Sequence, residues 1–451
     1  MYSFTSRLEK QAYEELKRGL FMQDDTTRLF SECALGEGIH FRSIQDRRFK
    51  TQRISIHMMV PLKKETAAAN AMLPYLLTRT NRAYPDYTLL GRRMQELYGA
   101  SLSGDVQKLG DVQVLSISAT GISDRYALHG EKISQELTEL LCSSLFEPHL
   151  DQDGLFPQDG FAQEKRQTLE MIDSELNDKR IYAKRRGLEL LLDGEPAALS
   201  RYGTREAVES LTREEVASVW QELLHHARFE IMVMGDCFPE LVVDTLRGRF
   251  PVGRELSDCT TIAKPSSGQV RERTDCMDVV QCKLIMGFRT GISAQQWQEL
   301  PALKLMCAVL GGTPHSKLFA NVREKMSLCY YCSSRYDSNK GILLIESGVE
   351  ESNLEKAREA ILQQLEEIRS GNVTEEEITS AKLSACNGLR TVEDYLGGME
   401  SWYLSQTFHP RTLTPEESAR EMQQVTAEQI QKAAEHCVLD AVYVMKGGNE
   451  A

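Results

Sequence analysis

One stretch of the sequence decides how the remainder is interpreted: Leu310-Gly311-Gly312-Thr313-Pro314-His315-Ser316-Lys317-Leu318-Phe319. Apolar residues at helical spacing precede its Gly-Gly pair over 298–310, and a second helix is predicted over 318–326. Arg323 falls near the end of that second helix, and Tyr330 lies on the strand that follows it. The stretch therefore predicts two helices and a strand, with a guanidinium and a phenol seven residues apart.

The same order of elements is repeated in the two halves of the chain. Each half opens with an alternating strand whose apolar residues face one way: Ile54, Ile56, Met58 and Val60 in the first half, and Cys282, Leu284, Met286 and Phe288 in the second. Helices follow over 67–80 and 298–310. Near the end of each half a capping box begins another helix, at Thr212 and at Thr426. The repetition predicts a duplicated domain.

This pattern also predicts the fold class. Helices and strands alternate in blocks, and the strands have a period of two, which is typical of a sheet with one packed face and one more polar face. We therefore predict an α+β protein of two homologous domains, each a mostly antiparallel sheet with helices packed on one face. The segment 251–268 contains proline and glycine and has no sustained period, so it is predicted to be a hinge linker. The domains would then span 1–250 and 269–451.

Composition excludes several classes of function. The chain has 451 residues and a formal net charge of −13, so neither nucleic acid nor an anionic membrane surface is expected as a partner. No apolar run approaches the length of a membrane span, and no secretory segment is visible at the start. The eleven cysteines are odd in number and scattered, which is typical of reduced thiols. A cytoplasmic location is therefore expected.

The opening stretch, together with Arg323 and Tyr330, resembles the C-terminal-half signature of the insulinase/pitrilysin family of zinc peptidases, the inverzincins. The segment Tyr202-Gly203-Thr204 is similar to a Gly-Thr stretch of the same family. The resemblance covers most of the chain and implies two homologous domains joined by a hinge, with two such units closing like a clam around a substrate chamber. It also implies that Arg323 and Tyr330 bind substrate, and that Gly311 and Gly312 belong to a loop that touches it.

The zinc-binding half of that family's site is missing from this sequence. Active members carry His-x-x-Glu-His on the first helix after the first strand, and the chain contains no such motif. The resemblance puts Ala71 and Tyr75 at the two histidine positions and Pro74 at the position of the catalytic glutamate. The reaction requires neutral imidazoles and a carboxylate base beside the metal, and none of these three side chains supplies either.

The third zinc ligand is also absent from its expected position. In the family it is a glutamate seven residues after another glutamate on a later helix, and counting from Glu164 gives Met171. Glu170 comes one residue early, which is about 100° of rotation on a helix, so it is not expected to point where a ligand must. The sequence therefore predicts no metal in this chain.

A second match concerns the role of the chain. The segment 161–172, followed by Asn177-Asp178-Lys179, resembles a bacterial subgroup of non-catalytic members that pair with a partner carrying the intact zinc motif. The leading hypothesis is a heterodimer in which a homologous His-x-x-Glu-His subunit holds the zinc. This chain, not an enzyme by itself, would supply Arg323 and Tyr330 in trans for peptide or protein processing. The alternatives are a non-proteolytic peptide-binding or scaffold protein of the same fold, and a peptidase with an unrecognised metal site.

Simpler explanations of the same residues stay open. An arginine on an amphipathic helix is usually an ion-paired surface residue, a strand tyrosine usually packs, and Gly311-Gly312 could simply end a helix. Cys329 and Cys332 form a Cys-x-x-Cys pair. On a strand their side chains would fall on opposite faces, so redox or metal chemistry is not expected of them.

Overall fold

The computed structural model describes residues 28–448, which form two compact units. The first unit contains the described residues up to Ile172 together with Leu199–Thr260. The second contains Asp173–Ala198 and the described residues from Thr261 onward. This division differs from the predicted boundaries, because Asp173–Ala198 comes from the N-terminal half of the chain and yet belongs to the second unit.

The first unit is built on a sheet with the strand order β1-β2-β6-β3-β5-β4. Its strands are β1 (Arg28–Gly36), β2 (Ile39–Asp46), β3 (Thr51–Pro61), β4 (Ser101–Leu109), β5 (Val112–Ile122) and β6 (Arg228–Gly235). Strands β2 and β6 run parallel, and the other neighbours are antiparallel. Strand β4 therefore lies at one edge of this sheet.

The helices of the N-terminal half are α1 (Ala67–Arg79), α2 (Tyr87–Glu96), α3 (Ile133–Phe146), α4 (Gln158–Asn177), α5 (Lys179–Leu191), α6 (Arg205–Ser210), α7 (Arg213–His226) and α8 (Pro239–Leu246). The core of the first unit forms between one face of the sheet and α1, α3, α7 and α8. Ile54, Ile56 and Met58 of β3 lie in this core, as their alternation predicts. The indole of Trp220 completes it and donates a hydrogen bond to the carbonyl of Leu145 at 2.9 Å.

The second unit has a sheet with the order β7-β11-β8-β10-β9, in which β7 and β11 are parallel. Its strands are β7 (Arg271–Met277), β8 (Cys282–Arg289), β9 (Cys329–Asp337), β10 (Ile342–Val349) and β11 (Val438–Gly447). Its helices are α9 (Leu300–Cys307), α10 (Leu354–Arg369), α11 (Glu375–Thr391), α12 (Leu396–Ser405), α13 (Pro415–Gln424) and α14 (Ala427–Glu435). Two π-helical segments, Ala308–Gly312 and Leu318–Lys325, lie between α9 and β9.

The two sheets share one plan. Strands β2, β6, β3, β5 and β4 of the first correspond in order and direction to β7, β11, β8, β10 and β9 of the second. The turns that precede the edge strands β4 and β9 are also alike. Tyr98, before β4, and Ser327, before β9, both have positive φ, 60° and 52°. The predicted duplication and the α+β fold class are confirmed.

The second sheet is covered on both faces. Leu284, Met286 and Phe288 of β8 face a core with α9, α10 and α14, as predicted. The opposite face packs against α5, where Ala183 and Leu191 are fully buried. The prediction of helices on one face is therefore incomplete for this sheet, because α5 covers the face that was expected to be polar.

The predicted linker, 251–268, contains no helix or strand. Its first part is bound to the first unit, where Arg254 is 5% exposed and donates to the carbonyls of Leu224 and Glu37 at 2.9 and 2.8 Å. Its last part is bound to the second unit, where the Ser266 hydroxyl donates to Asp440 at 2.7 Å. Within residues 28–448, no helix combines the length and apolar character needed to cross a bilayer.

Candidate functional site

Arg323 lies near the end of the π-helical segment Leu318–Lys325. Its guanidinium carbon lies 4.5 Å from the ring centroid of Phe319, its Nε is 3.6 Å from a Glu324 oxygen, and its side chain is 40% exposed. Stacking on a ring leaves the edges of the planar guanidinium accessible to an acceptor. Arg323 is thus held by a neighbour while it still reaches solvent. π-Helical turns are rare, and they occur frequently at functional sites.

Tyr330 lies at a β-bulge. The β10 residues Gly348 and Val349 pair with the residues on either side of Tyr330, so Tyr330 is the extra residue of β9. Tyr330 is 57% exposed, and its hydroxyl donates to Glu350 Oε1 at 2.9 Å. This hydrogen bond and the charge of Glu350 raise the pKa of Tyr330, so the phenol keeps its proton and remains a donor.

The two glycines of the opening stretch differ in their surroundings. Gly311 is buried, and a Cβ there would lie 2.7 Å from Leu318 Cδ1 and 2.8 Å from the Ser334 amide nitrogen. A side chain at Gly312 would lie 3.5 Å from the Ala308 Cβ, which is an ordinary contact, and Gly312 is exposed. Close packing therefore accounts for Gly311, whereas Gly312 is the one that a ligand can touch.

The predicted placement of the Cys-x-x-Cys side chains on opposite faces of the strand is wrong. Cys329 and Cys332 do not point to opposite faces, because the bulge at Tyr330 inserts one residue and reverses the alternation. Both thiols are buried in the same core, and a hydrogen bond from Cys332 lowers the pKa of Cys329. The same contact raises the pKa of Cys332.

In the first unit, three of the four positions expected from the missing zinc site lie in one apolar group of side chains. This group, the Tyr75 cluster, consists of Ala71, Tyr75, Val106, Met171, Ile172 and Tyr202. Burial raises the pKa of Tyr75, and the neighbouring Tyr202 and Asp105 raise it further, so its phenol stays neutral. The cluster replaces metal ligands with packed rings and aliphatic groups.

The fourth position, Pro74, shapes the backbone instead. A Cβ at Gly104 of β4 would lie 2.4 Å from the Pro74 carbonyl oxygen and 2.9 Å from the Tyr75 nitrogen. Helix α1 and β4 therefore approach each other closely at this point, and only glycine fits. A zinc-bound water beside α1 would find no carboxylate base at Pro74.

Zinc does not fit these residues. Structural and catalytic zinc sites use three or four histidine, cysteine or carboxylate ligands. Across residues 28–448, no group of three or more such side chains is arranged to hold a metal ion. Alanine, methionine and a protonated phenol are no substitute for these ligands.

Glu164 and Glu170 on α4 have different surroundings. The Glu164 carboxylate is buried and lies 3.2 Å from Arg79 Nη1 of α1, and burial raises its pKa. The side chain of Glu170 is 68% exposed and lies 3.6 Å from Arg166. Glu170 thus turns away from the Tyr75 cluster, as its position one residue early predicts.

An open cleft of about 580 Å³ adjoins the Tyr75 cluster within the first unit. Its walls come from α1, α4 and the edge strand β4, and they include Tyr75, Arg79, Ser103, Gln163 and Glu164. The Arg79 guanidinium also donates to Gln163 at 2.8 Å, which fixes it across the cleft wall. A cleft is therefore present beside the Tyr75 cluster, although that cluster contains no metal ligands.

Comparison with known proteins gives the family. A family model described as the peptidase M16 inactive domain matches residues 210–384. The probable inactive metalloprotease YmfF of Bacillus subtilis strain 168 is 30% identical over 411 residues, which covers 91% of this chain and 96% of YmfF. The chain belongs to the peptidase M16 family.

Solved structures share the fold of this chain. A conserved protein from Enterococcus faecalis V583 has a TM-score of 0.85 and 27% identity, covering 94% of this chain and 99% of that one. A peptidase M16 inactive domain from Pseudomonas fluorescens has a TM-score of 0.75 at 16% identity, covering 93% and 98%. At that identity the second likeness concerns the fold alone. The chain is a homologue of the M16 metalloproteases, and its sequence lacks the His-x-x-Glu-His motif.

Sequence reasoning on this M16 chain missed Tyr202 and Val106 of the Tyr75 cluster. A signal for Tyr202 existed in the next residue, Gly203, which has φ +72° and whose Cβ would lie 3.0 Å from the Ala68 nitrogen. That close approach brings the preceding tyrosine against α1. Val106 gave no comparable signal, because its contact depends on where β4 crosses α1.

Proposed function

We propose that this chain is the non-catalytic subunit of a heteromeric zinc peptidase in the cytoplasm. In this proposal it forms part of the substrate chamber and supplies Arg323 and Tyr330 to a homologous subunit that carries His-x-x-Glu-His and the zinc. One observation carries the proposal: both side chains sit at backbone irregularities, a π-helical segment and a β-bulge, and both reach solvent. An ordinary surface arginine or packed tyrosine requires neither irregularity.

The chemistry of the two groups suits a peptide substrate. The guanidinium of Arg323 can hold a substrate carbonyl or carboxylate. The phenol of Tyr330, kept protonated beside Glu350, could donate a hydrogen bond to the oxyanion that develops on the substrate carbonyl during peptide hydrolysis. One such donor is typically worth about 3 kcal/mol of transition-state stabilisation.

In this proposal a partner subunit holds the zinc, because this chain lacks the ligands, and the working peptidase is therefore a heteromer. The Tyr75 cluster offers no ligand set, so the attacking hydroxide has no source within this chain. A homologous partner with an intact motif would provide the zinc and the base. The two subunits would then contribute complementary halves of one site.

The test is reconstitution. The M16 gene product with an intact His-x-x-Glu-His from the same cell is purified alone and together with this chain, and peptide cleavage is measured. We expect cleavage that requires both chains, and a loss of kcat of about 10² or more for Tyr330→Phe. Arg323→Ala is expected to raise KM or lower kcat, with assembly unchanged by gel filtration.

Two matched variants control for loss of charge or of a phenol at the surface. Arg335→Ala removes an exposed arginine from the same strand as Tyr330, and Tyr395→Phe removes the hydroxyl of a tyrosine that is 61% exposed. Both should cleave as the unmodified pair does. Full activity of Arg323→Ala and Tyr330→Phe in an assembled pair would remove the role in trans.

A second function, peptide binding without cleavage, is favoured by the cleft in the first unit. The cleft adjoins β4, an edge strand whose outer backbone groups have no sheet partner in the described structure, and an extended peptide can add to such an edge. If the reconstituted pair binds peptides and cleaves none, and Ser103→Phe, at an exposed cleft residue of β4, abolishes binding while Arg323→Ala does not, this second function holds.

A further inference from the structure

A small pocket in the second unit, remote in sequence from the motif residues, has the properties of a ligand site. It lies between α9, α12 and α13, and the side chains that matter are Trp297, Lys304, Trp402, His409, Arg411 and Glu421. Its inner space is about 30 Å³, and it adjoins a wider groove of about 200 Å³ that shares Trp297, Pro301 and Glu421. Together they form a narrow polar end and a wider mouth.

The narrow end holds a cation whose charge is not neutralised by a close contact. Lys304 is in the last turn of α9 and is partly buried, and within residues 28–448 its ammonium makes neither a hydrogen bond nor an ion pair. Burial lowers the pKa of Lys304, and the charge of Glu421 offsets this only in part. A half-buried ammonium without a partner is unfavourable, and an anion beside it would remove that cost.

Glu421 does not serve as that anion. Its carboxylate lies 2.9 Å from Arg411 Nη1, and the Arg411 guanidinium lies 4.7 Å from the ring centroid of Trp297. Arg411 therefore takes up most of the charge of Glu421 at the mouth of the pocket. Lys304 remains the unmatched charge at the inner end.

A second donor lines the same pocket. The Nε2 atom of His409 is buried and has no hydrogen-bond partner in the described structure. Burial and then the charge of Lys304 lower the pKa of His409 to about 4, so its imidazole is neutral at ordinary pH. Two nitrogen groups that lack acceptors thus line one small space, which suits the two oxygens of a carboxylate.

The walls of the pocket are fixed in place. The indole of Trp402 donates to the carbonyl of Leu413 at 2.8 Å, and the side-chain amide of Gln406 bonds both the nitrogen and the carbonyl of Leu413, at 2.9 and 3.1 Å. These bonds hold the loop that carries His409 and Arg411 against α12. The space is therefore pre-formed and does not need to open for a ligand.

We propose that this pocket binds a small organic carboxylate, whose charged end accepts hydrogen bonds from Lys304 and His409 and whose apolar body lies against Trp297 and Pro301. The narrow end admits a carboxylate group and little else, and the groove of about 200 Å³ accommodates a body the size of a phenyl or short aliphatic group. This site is independent of the Arg323 and Tyr330 motif and of any zinc-bearing partner.

The probe is phenylacetate, with phenylacetamide as its uncharged isostere. Two of the three tryptophans, Trp297 and Trp402, line the pocket, so their fluorescence reports binding to the full-length chain directly. We expect a saturable change with phenylacetate, and at least about tenfold weaker binding of phenylacetamide, because the amide lacks the charge that pairs with the ammonium.

The variant Lys304→Met tests whether Lys304 contributes to ligand binding or to the stability of the fold. It should abolish the difference between the two compounds and at the same time leave the melting temperature unchanged or raise it, since it removes an unpaired half-buried charge. Lys356→Met, at an exposed lysine of α10, is the matched control and should bind as the unmodified chain does. Lys304→Gln, which keeps polarity without charge, serves as the second variant and should also lose the discrimination.

Three results would overturn the proposal. They are equal affinity of acid and amide, unchanged discrimination in both Lys304 variants, and no saturable signal with phenylacetate. A fall in melting temperature for Lys304→Met together with unchanged binding would assign the lysine to packing alone.

Discussion

Arg289 Nη2 donates to Glu195 Oε1 across 2.5 Å, and the two side chains are only 4% and 1% exposed. Lys340 Nζ lies 2.7 Å from the other carboxylate oxygen, so one buried carboxylate pairs with two cations. Glu195 follows α5, whereas Arg289 and Lys340 come from β8 and the β9–β10 turn of the second sheet. This network fixes the segment after α5 to the second unit.

Glu195→Gln is expected to lower the free energy of unfolding of the second unit by about 3 kcal/mol, because it removes the buried carboxylate that lies 2.7 Å from Lys340 and leaves Arg289 with the Asp440 carboxylate at 3.3 Å. Urea unfolding measures the change in the free energy of unfolding, and hydrogen exchange of the β8 and α5 amides shows where the structure opens first. The loss should appear as early exposure of α5.

The matched control for Glu195 is Glu416→Gln, which breaks an exposed pair with Arg420 at 3.5 Å on α13. Such pairs contribute at most about 0.5 kcal/mol. If both substitutions have equally small effects, the buried network does not hold α5 in place.

Rebuilding the ligands in the Tyr75 cluster is expected to create a zinc site. In the variant Ala71→His, Tyr75→His, Met171→Glu, the two histidines lie one turn apart on α1, and the glutamate lies in the same cluster. We expect about one zinc per chain and a higher melting temperature with zinc than with chelator. Peptide cleavage is not expected, since Pro74 supplies no base.

The control for this variant keeps the native Met171 and relies on Glu170. Because Glu170 is exposed beside Arg166, the double variant Ala71→His, Tyr75→His should bind zinc more weakly. Equal zinc content in the double and triple variants would mean that position 171 does not face the histidines.

Gly311 and Gly312 are expected to differ in how far an added methyl group destabilises the fold. Gly311→Ala should lower the free energy of unfolding by about 1–3 kcal/mol, because its methyl group meets the Ser334 backbone and Leu318. Gly312→Ala should change stability by less than about 0.5 kcal/mol, since its methyl group makes only an ordinary contact. Thermal unfolding of the two variants decides this, and equal losses would contradict the close approach at Gly311.

The sequence predicted the elements well because periodicity is local. Alternation placed Ile54, Ile56 and Met58 in the first core, and the same pattern placed Leu284 in the second. The unit boundary could not be read in this way. It depends on a contact such as that between Glu195 and Arg289, which are 94 residues apart and separated by a predicted linker.

Backbone irregularities account for most of what the sequence missed at the site. Strict alternation along β9 separated Cys329 from Cys332, but one extra residue at Tyr330 reverses it. A bulge has no composition signal here, since its residues are ordinary strand formers. The absent ligands at Ala71 and Tyr75 could be read directly, because a missing donor atom is visible without a structure.

The thiol pair that the bulge brings together should titrate unusually. The hydrogen bond from Cys332 lowers the pKa of Cys329, so its thiolate should be present at lower pH than an ordinary thiolate, and alkylation should begin at lower pH. Cys332→Ala removes the donor, so the pKa of Cys329 should rise and its alkylation at neutral pH should slow. Mass spectrometry of iodoacetamide-labelled peptides across pH measures both profiles, with Cys142, whose pKa burial raises to about 12, as an unreactive internal reference. The order of the two profiles is decisive: if Cys332→Ala leaves the Cys329 profile in place, the two thiols do not share a hydrogen bond and the bulge does not bring them together.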